Sequence, residues 1–194
     1  MEGRVSRAKR DMTAYLVPLL LGCTGEGVGD PCVPEDEYRT TFSGFGINEV
    51  QVESSSLQCA TRLCLVNHFQ GRVSCPKGQS EDDLTLPGSD PGRCRVPGSD
   101  NEQDAVTTPV AAWDLDRPPE RAVYCSCRCD GPDREARYCK CPSGYSCVDL
   151  VPDVGFGASE LPGSYCVRNG TQFEPQEAGG PSCETTPEDP VCGP

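Results

Sequence analysis

The sequence predicts a small disulfide-rich domain of short antiparallel β-strands and long irregular loops, with little helix. Three observations carry that prediction. The 194-residue chain holds 15 cysteines. Its 21 glycines and 19 prolines interrupt helices and long strands. Leu, Ile, Val and Phe make up roughly one residue in six of 23–194, below the ~20% that ordinarily sustains a core. With a formal charge of −13, such apolar poverty would by itself predict disorder. Cross-links reverse the expectation, because each removes denatured-state entropy worth on the order of 2–4 kcal/mol and so substitutes for missing burial.

The N-terminus sets the compartment. Arg4, Arg7, Lys9 and Arg10 precede the uncharged stretch Met12 to Gly22, which is too short to span a bilayer as a helix. Leu20-Leu21-Gly22-Cys23 then reads as a bacterial lipoprotein processing site, with 1–22 as the signal peptide. Gly22 leaves the backbone open to the peptidase, and the Cys23 thiol is the lipidation site. The cysteine arithmetic agrees, since removing Cys23 from 15 leaves an even number. Cys32, Cys59, Cys64, Cys75, Cys94, Cys125, Cys127, Cys129, Cys139, Cys141, Cys147, Cys166, Cys183 and Cys192 are then expected as disulfides. Such cysteine density argues for an oxidising compartment over the cytosol.

Residues 1–22 carry four basic and two acidic side chains, so their removal takes the charge from −13 to −15. That balance excludes nucleic acid as a partner, which needs a basic face. It also argues against the body lying on an anionic membrane surface by charge. The membrane partner is therefore the lipid on Cys23, with two or three acyl chains needed for a stable hold. The expected location is the bacterial cell envelope, on the outer membrane or the periplasmic face.

Along the chain, 23–36 reads as the lipidated cysteine and a flexible Gly- and Pro-rich tether, pinned at Cys32. The disulfide-rich domain follows over 37–173. In Ile47-Asn-Glu-Val-Gln-Val-Glu53 the apolar residues nearly alternate with polar ones, which predicts a strand. Ser55 or Ser56 is placed to cap a single helical turn through Leu63. Residues 76–104 are acidic and turn-forming with Cys94 as their only staple, and read as an exposed, mobile loop. Ala122 to Cys129 reads as the best strand, its cysteines on one side and Ser126 and Arg128 on the other. Asp130-Gly-Pro-Asp133 would turn it into a hairpin with Tyr138-Cys-Lys-Cys141, and Val148 to Pro152 adds a short strand. An acidic Pro-rich tail occupies 174–194, with Cys183 and Cys192 closing a small loop.

Two constellations bear on chemistry. Cys125, Cys127, Cys129, Cys139, Cys141 and Cys147 form the densest cluster. Thiolates alternating on two strands can converge on zinc or copper(I). Export, an even count and a single histidine favour a disulfide knot, so no metal and no cofactor is expected. Cysteines two apart on a strand cannot readily bond each other, so each must reach another segment. The single histidine, His68, would have to serve as base in any Ser-His-Asp or Cys-His hydrolase. No Gly-x-Ser-x-Gly accompanies it, and a polar group satisfying a turn is the plainer reading. The acidic side chains are too many for any one carboxylate pair to be singled out. Asp114-Leu-Asp116 and Asp130-Gly-Pro-Asp133 lack the ordered calcium-loop pattern. Trp113 reads as a core plug.

Cys139-Lys-Cys-Pro-Ser-Gly-Tyr-Ser-Cys147 resembles the C-terminal half of an EGF-like module, with a shorter final gap. More of the chain is similar to cysteine-rich lipoproteins of myxobacteria and related deltaproteobacteria. That similarity is carried by the processing site, Cys64 to Pro76, Tyr124 to Cys129, Tyr138 to Gly144 and Gly163 to Cys166. It implies an envelope location and a shared scaffold, and brings no activity with it. The expected function is non-catalytic: a lipid-anchored binding or structural module meeting an envelope protein or glycan. Loop 79–104 and the face around Arg128, Tyr138 and Tyr145 are the expected contact surfaces. The alternatives are metal sequestration by the clustered cysteines and a His68-dependent hydrolase.

Overall fold

A computed structural model describes residues 27–153, 155, 161–173 and 180–193. The expected signal peptide, the expected lipidation site Cys23 and the first residues of the expected tether lie outside the described residues. Among the described residues there are six short strands: β1 Val50–Glu53, β2 Cys64–Asn67, β3 Val123–Cys125, β4 Arg128–Asp130, β5 Tyr145–Val151 and β6 Gly163–Arg168. The one α-helical turn among the described residues, α1, is Pro119–Ala122. The strands form two antiparallel sheets, ordered β1-β2-β3 and β4-β6-β5. Seven disulfides join Cys32–Cys64, Cys59–Cys125, Cys75–Cys94, Cys127–Cys139, Cys129–Cys147, Cys141–Cys166 and Cys183–Cys192. The chain is therefore a small disulfide-rich domain, as its composition predicts.

The first sheet is covered on both faces. Its register sets Cys64 opposite Cys125 and Val66 opposite Val123. These residues join Phe45, Phe69, Ala112 and Trp113 in one core. Leu65 stands opposite Tyr124 and Val52, and packs with Tyr165 and Val167 of the second sheet in another. All four residues of β2 are consequently buried. A strand covered on both sides shows no polar alternation, which is why Cys-Leu-Val-Asn carries no strand signature in sequence.

The continuous strand expected over 122–129 divides in two. Cys125 donates its amide to Asp30 O at 2.8 Å and ends the first sheet. Ser126 is fully buried, its amide on Leu63 O (3.0 Å) and its hydroxyl on Cys166 O (2.8 Å). Two residues later the chain is in the other sheet, with Arg128 opposite Tyr165. The expected hairpin with 138–141 is absent, because β4 pairs with β6 instead. Its remnant is a single bond from Cys139 N to Arg128 O at 3.0 Å. The strand expected near Val148 is real and begins earlier, at Tyr145.

Other expectations also change. The expected tether is held against the body from Gly27 onward: Gly29 N donates to Cys125 O and Cys125 N to Asp30 O, both at 2.8 Å. The helical turn expected at 55–63 is a tight loop, closed by Ser56 N on Arg62 O (3.1 Å) with Arg62 at φ +64°. Trp113 does plug the first core, its Nε1 donating to Arg72 O at 2.6 Å. The small loop closed by Cys183 and Cys192 docks on the same core, with Cys183 N on Trp113 O at 3.0 Å.

Loops this irregular leave many backbone carbonyls without ladder partners, and a buried carbonyl needs a donor. Three buried arginines supply them. Arg72 donates to Glu37 O, to Phe42 O at 2.8 Å and to Arg39 O at 3.2 Å. Arg93 donates to Val106 O (2.6 Å), Leu86 O (2.8 Å) and Leu84 O (3.1 Å). Arg117 donates to His68 O (2.7 Å), Asn67 O (2.8 Å) and Thr171 O (3.1 Å). Each guanidinium gathers carbonyls from separate stretches of backbone into one buried hub. Arg93, buried Gln79 and the Cys75–Cys94 bridge pin residues 76–104 to the body, which corrects the reading of a mobile loop.

Candidate functional site

The second sheet carries the densest chemistry. Its register places Cys147 opposite Cys166, and Arg128, Tyr165 and Val148 in line across the three strands. Side chains alternate along a strand, so the cysteines share one face and the Arg128 row the other. Tyr165 and Val148 face the inter-sheet core. The cysteine face holds three bridges, Cys127–Cys139, Cys129–Cys147 and Cys141–Cys166. Their sulfurs touch: Cys166 Sγ lies 3.6 Å from Cys127 Sγ and 3.7 Å from Cys139 Sγ. Cys129, Cys141 and Cys166 also lie within 4.8 Å of one another. As disulfides these sulfurs are cross-links. Reduced, the same atoms would be a soft-metal ligand set.

Of the three expected contact residues, the structure brings two together. The Arg128 guanidinium stands 5.1 Å from the centre of the Tyr138 ring, within cation–π range. The Tyr138 hydroxyl donates to Asp133 O at 2.6 Å, holding the ring in place. Tyr145 lies elsewhere. It starts β5 opposite Arg168, whose guanidinium sits 5.2 Å from the Tyr145 ring and 5.4 Å from that of Tyr124. Burial raises the pKa of both phenols. Arg168 was not legible as a site residue, because its partner Tyr124 is 44 positions away in the chain and no pattern links them.

His68 occupies a turn, at φ +55°. Its Nδ1 is 3.0 Å from Ile47 O and its ring stacks on Phe173 at 4.2 Å. Burial first, then the Arg117 charge, lowers its pKa against the raising effect of the Ile47 carbonyl. This is the setting of a neutral imidazole satisfying a turn. Loop 79–104, the other expected contact surface, exposes its acidic and glycine-rich tips while Arg93 holds its interior.

No protein-family model, curated protein or solved structure matches the chain. The class defined by fold and site is thus a disulfide-rich domain of two small antiparallel sheets. Its function must be argued from its own residues.

Proposed function

We propose that the chain is a lipid-anchored bacterial envelope protein whose body is a non-catalytic binding or structural module. One observation carries the reading. All fourteen cysteines from Cys32 to Cys192 pair with one another, so of the 15 in the chain the one left over is Cys23. A full set of cross-links suits an exported protein, and one spare thiol at a processing motif suits lipid attachment. Cross-links also hold a recognition surface in its bound shape, which cuts the entropy lost on binding. The Arg128–Tyr138 pair offers such a surface: an aromatic face and a guanidinium fit a glycan or a protein of the envelope.

The test is the intact mass of protein extracted from its native membrane, with thiols alkylated before and after reduction. A diacylglycerol-plus-acyl increment on Cys23, with alkylation only after reduction, is the expected result. An unmodified Cys23 sinks the anchored reading. A second reading, soft-metal sequestration, draws on the contact among the Cys127, Cys139 and Cys166 sulfurs. It requires free thiols before reduction and zinc or copper that co-purifies and leaves on acidification.

A further inference from the structure

Among the described residues, Leu57 is the most exposed large apolar side chain, at 81%. A single exposed leucine needs no explanation by itself. Its position gives it one. Leu57 stands on the loop 54–62, which is closed by Ser56 N on Arg62 O at 3.1 Å and Arg62 N on Cys59 O at 2.9 Å. The Cys59–Cys125 bridge fixes that loop to the first sheet. Gly27, where the described chain begins, lies against the same loop: a Cβ built on it would be 3.0 Å from Ala60 Cβ. Four residues lead from Cys23 to Gly27, and four residues span at most about 14 Å even when fully extended. That is about half the ~30 Å hydrocarbon thickness of a bilayer. A lipid on Cys23 therefore brings the loop down to the membrane surface.

The local charge fits. The chain carries 30 acidic side chains, yet none lies between Ser54 and Ser80. The loop exposes Ser54, Ser55, Leu57, Gln58 and Arg62 to solvent. Asp30 flanks Gly27, and on the same approach Tyr145 and Arg168 crowd Gly29. Tyrosine and arginine are residues of the headgroup level.

We propose that loop 54–62 rests on the membrane that anchors Cys23, with Leu57 inserted at the boundary of headgroups and acyl chains and Arg62 among the phosphates. The proposal rests on the lipid-anchor reading above. One leucine cannot hold a protein on a bilayer. Once the lipid anchors the chain, the contact becomes intramolecular and is favoured by a high effective concentration. It fixes which way the body faces and leaves the rest of the surface for partners.

The experiment places a photo-reactive benzoylphenylalanine at position 57, and separately at Leu86, in the full chain with its processing site. After irradiation in native membranes, adducts and the state of Cys23 are read by mass in the same sample. Phospholipid adducts at position 57 should exceed those at 86 by about tenfold or more, as tethered contact at high effective concentration requires. Equal or no phospholipid adducts at 57, or adducts to protein, on chains that carry lipid on Cys23 would overturn the loop contact and leave the anchor standing. Chains without lipid on Cys23 would overturn both.

Discussion

Replacing Arg72 by methionine keeps most of the buried stem and removes the guanidinium. The carbonyls of Glu37 and Phe42 then lose their donor, while that of Arg39 keeps the Phe42 amide at 3.2 Å. The Glu37 carboxylate loses the nearby positive charge but keeps Val73 N at 2.5 Å, Ser74 N at 3.0 Å and Ser74 Oγ at 2.8 Å. Each buried carbonyl left without a donor costs roughly 1–3 kcal/mol, and the loss of a positive charge near a buried carboxylate adds to that. Two orphaned carbonyls and the lost favourable charge near Glu37 place R72M at about 3–4 kcal/mol. In a Glu37→Gln background no carboxylate is stranded, and the same change should cost about 2 kcal/mol, the share of the orphaned carbonyls. Urea unfolding with disulfides intact reads both, through the fluorescence of Trp113, whose Nε1 donates to Arg72 O.

A pH arm follows from Glu37. Burial raises its pKa above the ordinary 4.5, against the lowering effects of Val73, Ser74 and Arg72. A raised carboxyl adds stability below its unfolded pKa, and that stability is lost as pH rises through the folded value. Removing Arg72 raises the folded value further. The R72M penalty should therefore shrink as pH falls toward 4.5. An R72M penalty below about 1 kcal/mol, or equal penalties with Glu37 and with Gln at position 37, would refute the coupling.

Two further predictions follow from the same architecture. The folded pKa of His68 lies below 6.5 through burial, so its stabilising contribution is present above 6.5 and lost as pH falls through the folded value. His68→Asn, which tolerates φ +55°, should flatten the pH dependence of melting temperature between about pH 5 and 7. A slope unchanged from the parent would assign it to other groups. Loop-closure entropy ranks the bridges: removing Cys59–Cys125, 66 residues apart, should cost about 4 kcal/mol. Removing Cys183–Cys192, 9 apart, should cost about 3 kcal/mol. Melting of the two double-alanine variants checks the order, and a reversed order would show that packing outweighs loop length.

The strand signal near Val50 was legible because β1 is only half-buried, so its alternation survives in the sequence. Trp113 and the Cys183–Cys192 loop were legible for equally local reasons. What failed was non-local. Nothing in Cys-Leu-Val-Asn says that a second sheet will cover Leu65. The run from Ala122 to Cys129 keeps its alternation while its hydrogen-bond partners change at Ser126, and a pattern of side chains cannot report a change of partner. The arginine hubs were missed because solvated charge is the ordinary reading of Arg93 in an acidic, Gly-Pro-rich stretch. Two cations, Arg93 and Arg95, flanking a stapling cysteine among turn residues were the signal that could have found it. On the expected contact face, chemistry and local turn sufficed to join Arg128 to Tyr138. The separation of Tyr145 followed from the β5–β6 register, which no single segment encodes.

The crowding at Cys166 bears on how the protein matures. With Cys127 and Cys139 sulfurs both within 4 Å of it, proximity alone does not choose its partner. Pairing Cys166 with Cys127 would strand Cys139 with Cys141, two positions apart and poorly placed to bond. Pairing it with Cys139 would leave Cys127 and Cys141, which carries no such built-in penalty. That isomer is the natural competitor of the native one. The native choice is enforced by the β4–β6 register, which sets where Cys127 and Cys129 stand. Correct oxidation of these three bridges therefore belongs after the second sheet has formed, and a chain oxidised while still unfolded would need its cross-links reshuffled.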